Sequence, residues 1–410
     1  MEERTDALEL KVSNNSKVKG LLMLAVMWCA YVTFAMNWVG GSDLGAQIVQ
    51  TFFGGPVAPV IQQVVNYTIT AARVVANLFA AYILIKSGPK RAITIAMVLL
   101  MFSVVAVWMP NYWAFTISRM VMALGGSMVI VYMNPVVANY VAPDKKMIAN
   151  ALNTVSYNVG AFVVSILFVF FAQQLAANWK ITLTIMASLT VVFFILWLIV
   201  SEDFDTTKNL ESSEEQVKYG YKEALRDSFV WKYSIAFGGF LFLYVLAVTS
   251  FPSVISTYAP KIDGSLLNLL VTGFAIVGTG VGMKLGLTDM KRKKILLSTG
   301  TLMIAMFALA LIFANISTFA TYAFAAISGF FMFIQYPVYM NLPHEMPNMS
   351  AQKLTVIFGL FWAIAYTVNT LFTFIWSMLL GSSGWLAASI FYIVGSCLYL
   401  VMAAMLPETK

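Results

Sequence analysis

Two arginines stand where apolar chain should be uninterrupted. Arg73 lies near the middle of an apolar stretch at 59–86, and Arg119 lies in a second at 112–142. Each stretch is long enough to cross a bilayer, which takes roughly 20 residues of helix. An arginine at mid-bilayer costs roughly 2.5–3.5 kcal/mol on insertion scales, so such a group faces a cavity or a partner. No Asp or Glu falls in the central part of any apolar stretch, so a permanent ion-pair partner for Arg73 is hard to find. A bound anion is the natural counter-charge, because the guanidinium fork offers parallel donors that match a planar oxyanion. The competing reading has Arg73 satisfied by helix carbonyls, water, Asn66 or Asn77. Arg119, nearer the end of its stretch, is either a second cavity charge or reaches outward to water.

Neutral polar groups occur at similar depth: Gln62, Gln63, Asn66, Asn77, Asn134, Asn153, Asn158, Gln335 and Asn369, with Tyr31, Tyr67, Tyr157, Tyr336 and Tyr366. Some are expected to line a solute cavity, although membrane helices also use amides to tie neighbours together. His344 and Glu345 are adjacent and could pass a proton, but they fall outside the apolar stretches, where a surface role is the simpler expectation. A membrane-embedded enzyme needs a nucleophile with a base, or metal ligands, at one depth. One histidine and no intramembrane acid offer little for that chemistry, so no catalytic residue, metal or cofactor is expected. Cys29 and Cys397 read as buried free thiols. Gly278, Gly280 and Gly282 suggest close helix approach, since a phosphate-binding loop requires an aqueous strand-to-helix turn.

The elements that must hold these groups are apolar helices. The chain is 60% hydrophobic and 10% charged, with mean hydropathy +0.82, whereas soluble domains carry about 25% charged residues. Lipid is therefore the solvent for much of the surface. We expect an all-α integral membrane protein with twelve spans near 18–39, 59–86, 91–109, 112–142, 148–174, 179–201, 232–258, 264–287, 293–314, 317–341, 353–380 and 384–406. The net charge of +7 reports topology and not nucleic-acid binding. Arg4, Lys11, Lys17, Lys19, Lys86, Lys90, Arg91, Lys145 and Lys146 fall on one side, as do the 208–232 cluster, Lys291 to Lys294, Lys353 and Lys410. The other side holds only Lys180 and Lys261. The positive-inside rule places both termini in the cytoplasm. The polar stretch 202–231 divides a first six-span bundle (18–201) from a second (232–406), with tails at 1–17 and 407–410. Glu214 to Arg226 could form a surface amphipathic helix. The halves echo each other: Gly126, Pro135 and Pro143 match Gly329, Pro337 and Pro343, while Tyr157 and Asn158 match Tyr366 and Asn369. Repeated bundles that rock about a central site are a transporter signature.

This organisation resembles the major facilitator superfamily. Its loop after span 2 reads Gly-x-x-x-Asp-Arg/Lys-x-Gly-x-Arg/Lys, and here Lys86, Gly88 and Lys90 fit, with Arg91 following, while Ala81 and Ile85 replace the glycine and the acid. The resemblance implies a gating loop at Lys86, Gly88, Lys90 and Arg91 that lacks the family's acidic clamp. After span 8 only the basic character survives, at Lys291 to Lys294. Arg119-Met-Val-Met-Ala-Leu-Gly125-Gly126 is similar to the family's Arg-x-x-x-Gly-x-Gly run, which implies a place for Arg119 inside the bundle. The antiporter pattern of span 5 is absent apart from Gly160, which argues against a proton-driven drug exporter. The Gly88-Pro89-Lys90 turn, the Pro143-Asp144-Lys145-Lys146 loop and the Leu342–Pro347 loop resemble the branches that handle cyanate, nitrate/nitrite or oxalate and formate. The expectation is a secondary active or facilitative carrier in the cell membrane, acting as a monomer by alternating access. It would move a small organic or inorganic anion, by exchange or uniport in preference to strong proton drive. The alternative is an exporter of drugs or neutral metabolites.

Overall fold

The computed structural model describes residues 2–142, 145–204, 220–347, 349 and 351–410. Part of the expected amphipathic segment, 214–219, lies outside them, as do Pro143 and Asp144 of the span 4–5 loop. Among the described residues the regular structure is helical, without strands. Eleven helices are long and apolar enough to cross a bilayer: Lys17–Asp43 (span 1), Pro89–Val107 (3), Tyr112–Tyr140 (4), Ile148–Ala177 (5), Trp179–Val200 (6), Ser228–Thr249 (7), Gly264–Gly286 (8), Arg292–Phe313 (9), Thr318–Glu345 (10), Val356–Ser382 (11) and Gly384–Ala404 (12). Val64–Ser87, with 24 residues, is span 2. At 1.5 Å per residue it is about 36 Å long, enough for a core of roughly 30 Å.

Helix ends differ from the expected bounds for local reasons. Span 1 continues to Asp43, four residues beyond the apolar run, and thereby carries an acid to a membrane helix's end. Span 2 begins late because Pro59 opens a separate turn, Pro59–Gln62, and Gln63 breaks the ladder before Val64. Span 7 stops at Thr249, and Pro252 sits in the first turn of a new short helix, Phe251–Tyr258. Gly88, at φ 76°, turns the chain from span 2 into span 3 with Pro89 as the first helical residue, a left-handed conformation that favours glycine. Span 10 runs through Pro337 and Pro343 to Glu345, so His344 and Glu345 are helical and not in a loop. Asn111, Asp263 and Ser317 cap spans 4, 8 and 10 through side-chain oxygens, which satisfies amides that lipid could not.

Packing follows the bilayer's rules. Exposed large apolar side chains ring the molecule, among them Ile199, Phe319 and Leu386, as a lipid-facing surface requires. Inside, small residues let helices touch. A Cβ on Gly278 would lie 2.2 Å from the Phe330 carbonyl oxygen, and one on Gly282 would lie 2.1 Å from that of Ile334, so spans 8 and 10 meet backbone to backbone. Gly280, between them, has open space on its own side. The first six and last six spans meet along spans 2 and 11, where Thr370 Oγ1 donates to Thr70 Oγ1 at 2.7 Å and Tyr67 packs edge-on to Phe374. They meet again where Tyr244 of span 7 donates to Asn158 Oδ1 of span 5.

Forcing a side chain into the span 8–10 contact should cost about 1–3 kcal/mol. Gly278→Val and Gly282→Val are expected to lower the thermal midpoint of the detergent-solubilised protein, while Gly280→Val leaves it unchanged; fluorescence-detected size-exclusion chromatography after heating reads all three.

Candidate functional site

The site is built around Arg73, the tenth residue of span 2. Its side chain is 4% exposed. Span 1 presents Tyr31, Phe34 and Trp38 at i, i+3 and i+7, one face of a helix, and all three rings surround the guanidinium. Its carbon lies 6.0, 5.4 and 5.6 Å from their centroids. The fourth wall comes from the other half, with the Tyr366 ring of span 11 at 4.6 Å. Cation–π attraction of this kind contributes about 2 kcal/mol or more when desolvated. It does not satisfy N–H groups. Nη2 donates to the Tyr31 hydroxyl at 2.8 Å, while Nε and Nη1 are buried without any acceptor. No salt bridge among the described residues involves Arg73.

Other unpartnered atoms occur nearby in both halves. The Tyr157 hydroxyl is buried without a bond, its ring edge-on to Trp38 and to Tyr244. Asn158 accepts from Tyr244 but leaves Nδ2 unpaired. Asn369, one turn beyond Tyr366, is fully buried with neither amide atom bonded, and Thr373 Oγ1 and Trp376 Nε1 continue the unpaired row along span 11. Tyr336 packs in the Phe237, Phe240 and Phe333 cluster, within electrostatic reach of Arg73 and Tyr366. Asn77 is buried one turn past Arg73 on span 2.

The remaining candidates are placed differently. Asn66 is held in a relay: Trp38 Nε1 and Ser42 Oγ donate to its Oδ1 at 3.0 Å, and its Nδ2 donates to Gln63 Oε1 at 2.8 Å. Ser250, at the end of span 7, donates to the same Gln63 oxygen at 2.8 Å, so the relay ties the halves together. Tyr67 donates to the Val60 carbonyl at 2.5 Å. Gln335 is buried within the second half between Tyr399 and Met303, and Asn134 is exposed. Arg119, 1% exposed, lies wholly within the first half, where its Nη2 donates to the Asn37 carbonyl at 2.7 Å and more weakly to that of Trp38. It neither snorkels outward nor reaches the gap between halves. Phe34 and Trp38 were not singled out in the sequence, although their spacing from Tyr31 was the signal.

The Major Facilitator Superfamily model matches residues 65–365, well over half the chain. The chain belongs to that superfamily. It is a multi-pass membrane transporter of a small solute, working by alternating access, and not an enzyme. An uncharacterized protein of Mesomycoplasma hyopneumoniae is 25% identical over 396 residues, covering 88% of this chain and 82% of that one. The major facilitator superfamily transporter MG061 of Mycoplasma genitalium is 27% identical over 288 residues, 64% of this chain and 51% of that one. Among solved structures, the D-xylose-proton symporter superposes with a TM-score of 0.73 at 15% identity over 96% of this chain and 98% of its own. The E. coli fucose:proton symporter does so with a TM-score of 0.62 at 13% identity over 94% and 99%. At such identities the likeness is one of fold.

In this facilitator the loop after span 2 finds its acid elsewhere in the chain. Asp203, just past span 6, accepts from the Lys90 amide at 3.5 Å, and Lys90 Nζ donates to the Ser201 carbonyl at 3.1 Å. Glu202 beside it accepts from Tyr140 and pairs with Lys19 at 3.5 Å. Lys86 lies over the Tyr82 ring, and Arg91 is exposed. The second half repeats the plan: past span 12, Glu408 accepts from the Lys293 amide at 3.2 Å. There Arg292, 1% exposed, also binds Glu345 through Nε and Nη2, with the Nη2 contact at 2.8 Å, and Thr409 donates to the same carboxylate.

Removing one partner of a buried ion pair costs about 3–5 kcal/mol, because the other charge stays behind. Arg292 keeps bonds to the Gly286 and Thr288 carbonyls, so Glu345→Gln is expected to lie at the low end, with a thermal midpoint several degrees down. Asp289→Asn, which removes the exposed 3.4 Å pair with Lys410, should change little; one melting series compares them.

Proposed function

We propose that this facilitator carries a small anion bound at Arg73 between its halves. The carrying observation is that two nitrogens of the one guanidinium, Nε and Nη1, are buried without acceptors, and that no salt bridge among the described residues involves Arg73. A charged donor left unpaired costs more than an ordinary buried amide, and an oxyanion on either fork of the guanidinium, Nε with Nη2 or Nη1 with Nη2, would supply an acceptor to one open nitrogen and share Nη2 with Tyr31. We assign Tyr31, Tyr157, Tyr366 and Asn369 to the same solute, from both halves, with Tyr336 and Asn77 at its edge. A solute that bonds to Arg73 on one half and to Asn369 on the other would favour the arrangement in which they are close. That differential affinity is what alternating access requires. We assign Arg119 and Gln335 to packing within their own halves, and Asn66 and Tyr67 to the contact between halves. The lysine distribution supports cytoplasmic termini and a boundary between bundles near 202–231.

A second reading has a specific observation behind it. Asn369, Asn158, Tyr157, Thr373 and Trp376 offer neutral donors and acceptors among aromatic rings, a surface that suits a hydroxylated neutral solute. The solved neighbours carry xylose and fucose.

Thermal stabilisation of the purified protein separates the two. A ligand at 100 times its Kd stabilises by about 2.7 kcal/mol. Among small carboxylates, inorganic oxyanions and neutral sugars, the expected result is stabilisation by one anion class, lost in Arg73→Gln and partly kept in Arg73→Lys. Stabilisation by a neutral sugar that survives Arg73→Gln would overturn the anion reading.

A further inference from the structure

Span 11 carries a row of polar groups that a single small ion at Arg73 would leave without partners. Tyr366, Asn369, Thr373 and Trp376 recur at i, i+3, i+7 and i+10, which places them on one face of the helix. Tyr366 is the ring against the guanidinium. Beyond it, Asn369 is fully buried with neither amide atom bonded, and Thr373 Oγ1 and Trp376 Nε1 are buried and unbonded too. Other hydroxyls of this helix bond back to its own carbonyls. Thr367, Thr370 and Ser377 donate to those of Ala363, Tyr366 and Phe374. Thr373 makes no such bond.

Packing shows where the row faces. On one side of it, Thr370 and Phe374 meet Thr70 and Tyr67 of span 2. On the other, Phe372 packs against Phe242 of span 7 and Phe391 of span 12. The polar face lies between these two contacts, so it runs from Arg73 along the inner side of the second half and not along lipid. From the first half, the Tyr157 hydroxyl and Asn158 Nδ2 are also unbonded, and Tyr157 lies within electrostatic reach of both Arg73 and Tyr366.

Length decides what can fill such a row. At 1.5 Å per residue, Asn369 lies about 4.5 Å from Tyr366 along the helix axis, Thr373 about 10.5 Å and Trp376 about 15 Å. Nitrate, formate or another anion of that size ends at the guanidinium. An extended chain advances roughly 1.2 Å per bond, so a body of about five or six carbons on the same head passes Asn369 and brings its far end toward Thr373. Trp376 stays beyond its reach. The amide offers donors and an acceptor, and the threonine hydroxyl serves as either. Hydroxyls on the body match both, whereas an apolar body would leave these buried groups unpaired.

We propose that the solute is an extended polyhydroxylated acid, with a carboxylate or phosphate head on Arg73 and a body of about five or six carbons whose hydroxyls pair with Asn369 and Thr373. This rests on the anion reading of Arg73 and adds the span 11 face as the element that selects the body. Each half then holds one end of the solute: span 2 the charge, span 11 the hydroxyls.

Calorimetry on the purified protein in nanodiscs tests this with two series. One keeps a carboxylate and lengthens the hydroxylated chain through glycolate, glycerate and gluconate, with hexanoate as the apolar counterpart and glucitol as the neutral one. The other sets inorganic phosphate beside glucose 6-phosphate. In the series whose head the site accepts, the long hydroxylated acid is expected to bind about tenfold more tightly than the short one, the effect of one or two hydrogen bonds to buried groups. Hexanoate should not share the gain. Asn369→Leu and Thr373→Val remove unpaired polar atoms and should not lower the thermal midpoint, but each should shrink the ratio of long to short acid. Equal affinity for long and short acids, a gain shared by hexanoate, or a ratio unchanged in Asn369→Leu would overturn the proposal and leave the anion reading intact, since the row would then hold only water. Glucitol binding as tightly as gluconate, with both surviving Arg73→Gln, would overturn the anion reading itself. A protein that binds no member of either series overturns the proposal as well.

Discussion

A bilayer offers no hydrogen bonds, so every polar group carried into it must find a partner within the protein or in what the protein carries. This chain places three arginines under that constraint and resolves each differently. Arg119 is answered through Nη2 by backbone carbonyls of the neighbouring helix, with Nε left open. Arg292 is answered by a carboxylate and two carbonyls at the end of the second half. Arg73 has aromatic rings and a single hydroxyl, and two of its donors stay open. The first two arrangements lie within one half and hold it rigid. The third spans the gap, where a permanent partner would lock the halves together.

The same logic explains how the halves are joined. Their contacts run along spans 2 and 11 and along spans 5 and 8, and the polar ones are mostly neutral: hydroxyl to hydroxyl at Thr70 and Thr370, hydroxyl to amide at Gln63 and Ser250, and tyrosine rings around Arg73 and Asn158. Neutral hydrogen bonds contribute only about 0.5–1.5 kcal/mol each, so such a seam can be exchanged for another arrangement. Within each half the helices instead meet through glycine and through charged clusters at the helix ends, which do not come apart cheaply. Rigid halves with an exchangeable seam are what alternating access needs.

The repeat is visible in chemistry more than in sequence. Asp203 after span 6 and Glu408 after span 12 each accept from a backbone amide in the first turn of the third helix of its half, at Lys90 and Lys293. The motif position Ile85 lacks the family's acid, yet a carboxylate reaches the same loop from elsewhere in the chain. Motif comparison along the sequence could not register this, because the compensation is spatial.

The sequence alone determined the number of membrane spans, since a run of about 20 apolar residues is what a helix needs to cross the bilayer core. It also determined the position of Arg73 within its span and the turn at Gly88-Pro89, because these follow from length and local backbone chemistry. Helix ends were less legible: span 1 continued to Asp43, as hydrogen bonding along a helix does not stop where hydropathy does. The partners of each polar group were decided only by the tertiary structure. Arg73 and Arg119 look alike in sequence, each an arginine in an apolar helix, yet one meets Tyr366, 293 residues away, and the other meets its own half. Helix rotation and packing settle that difference, and no local pattern encodes them.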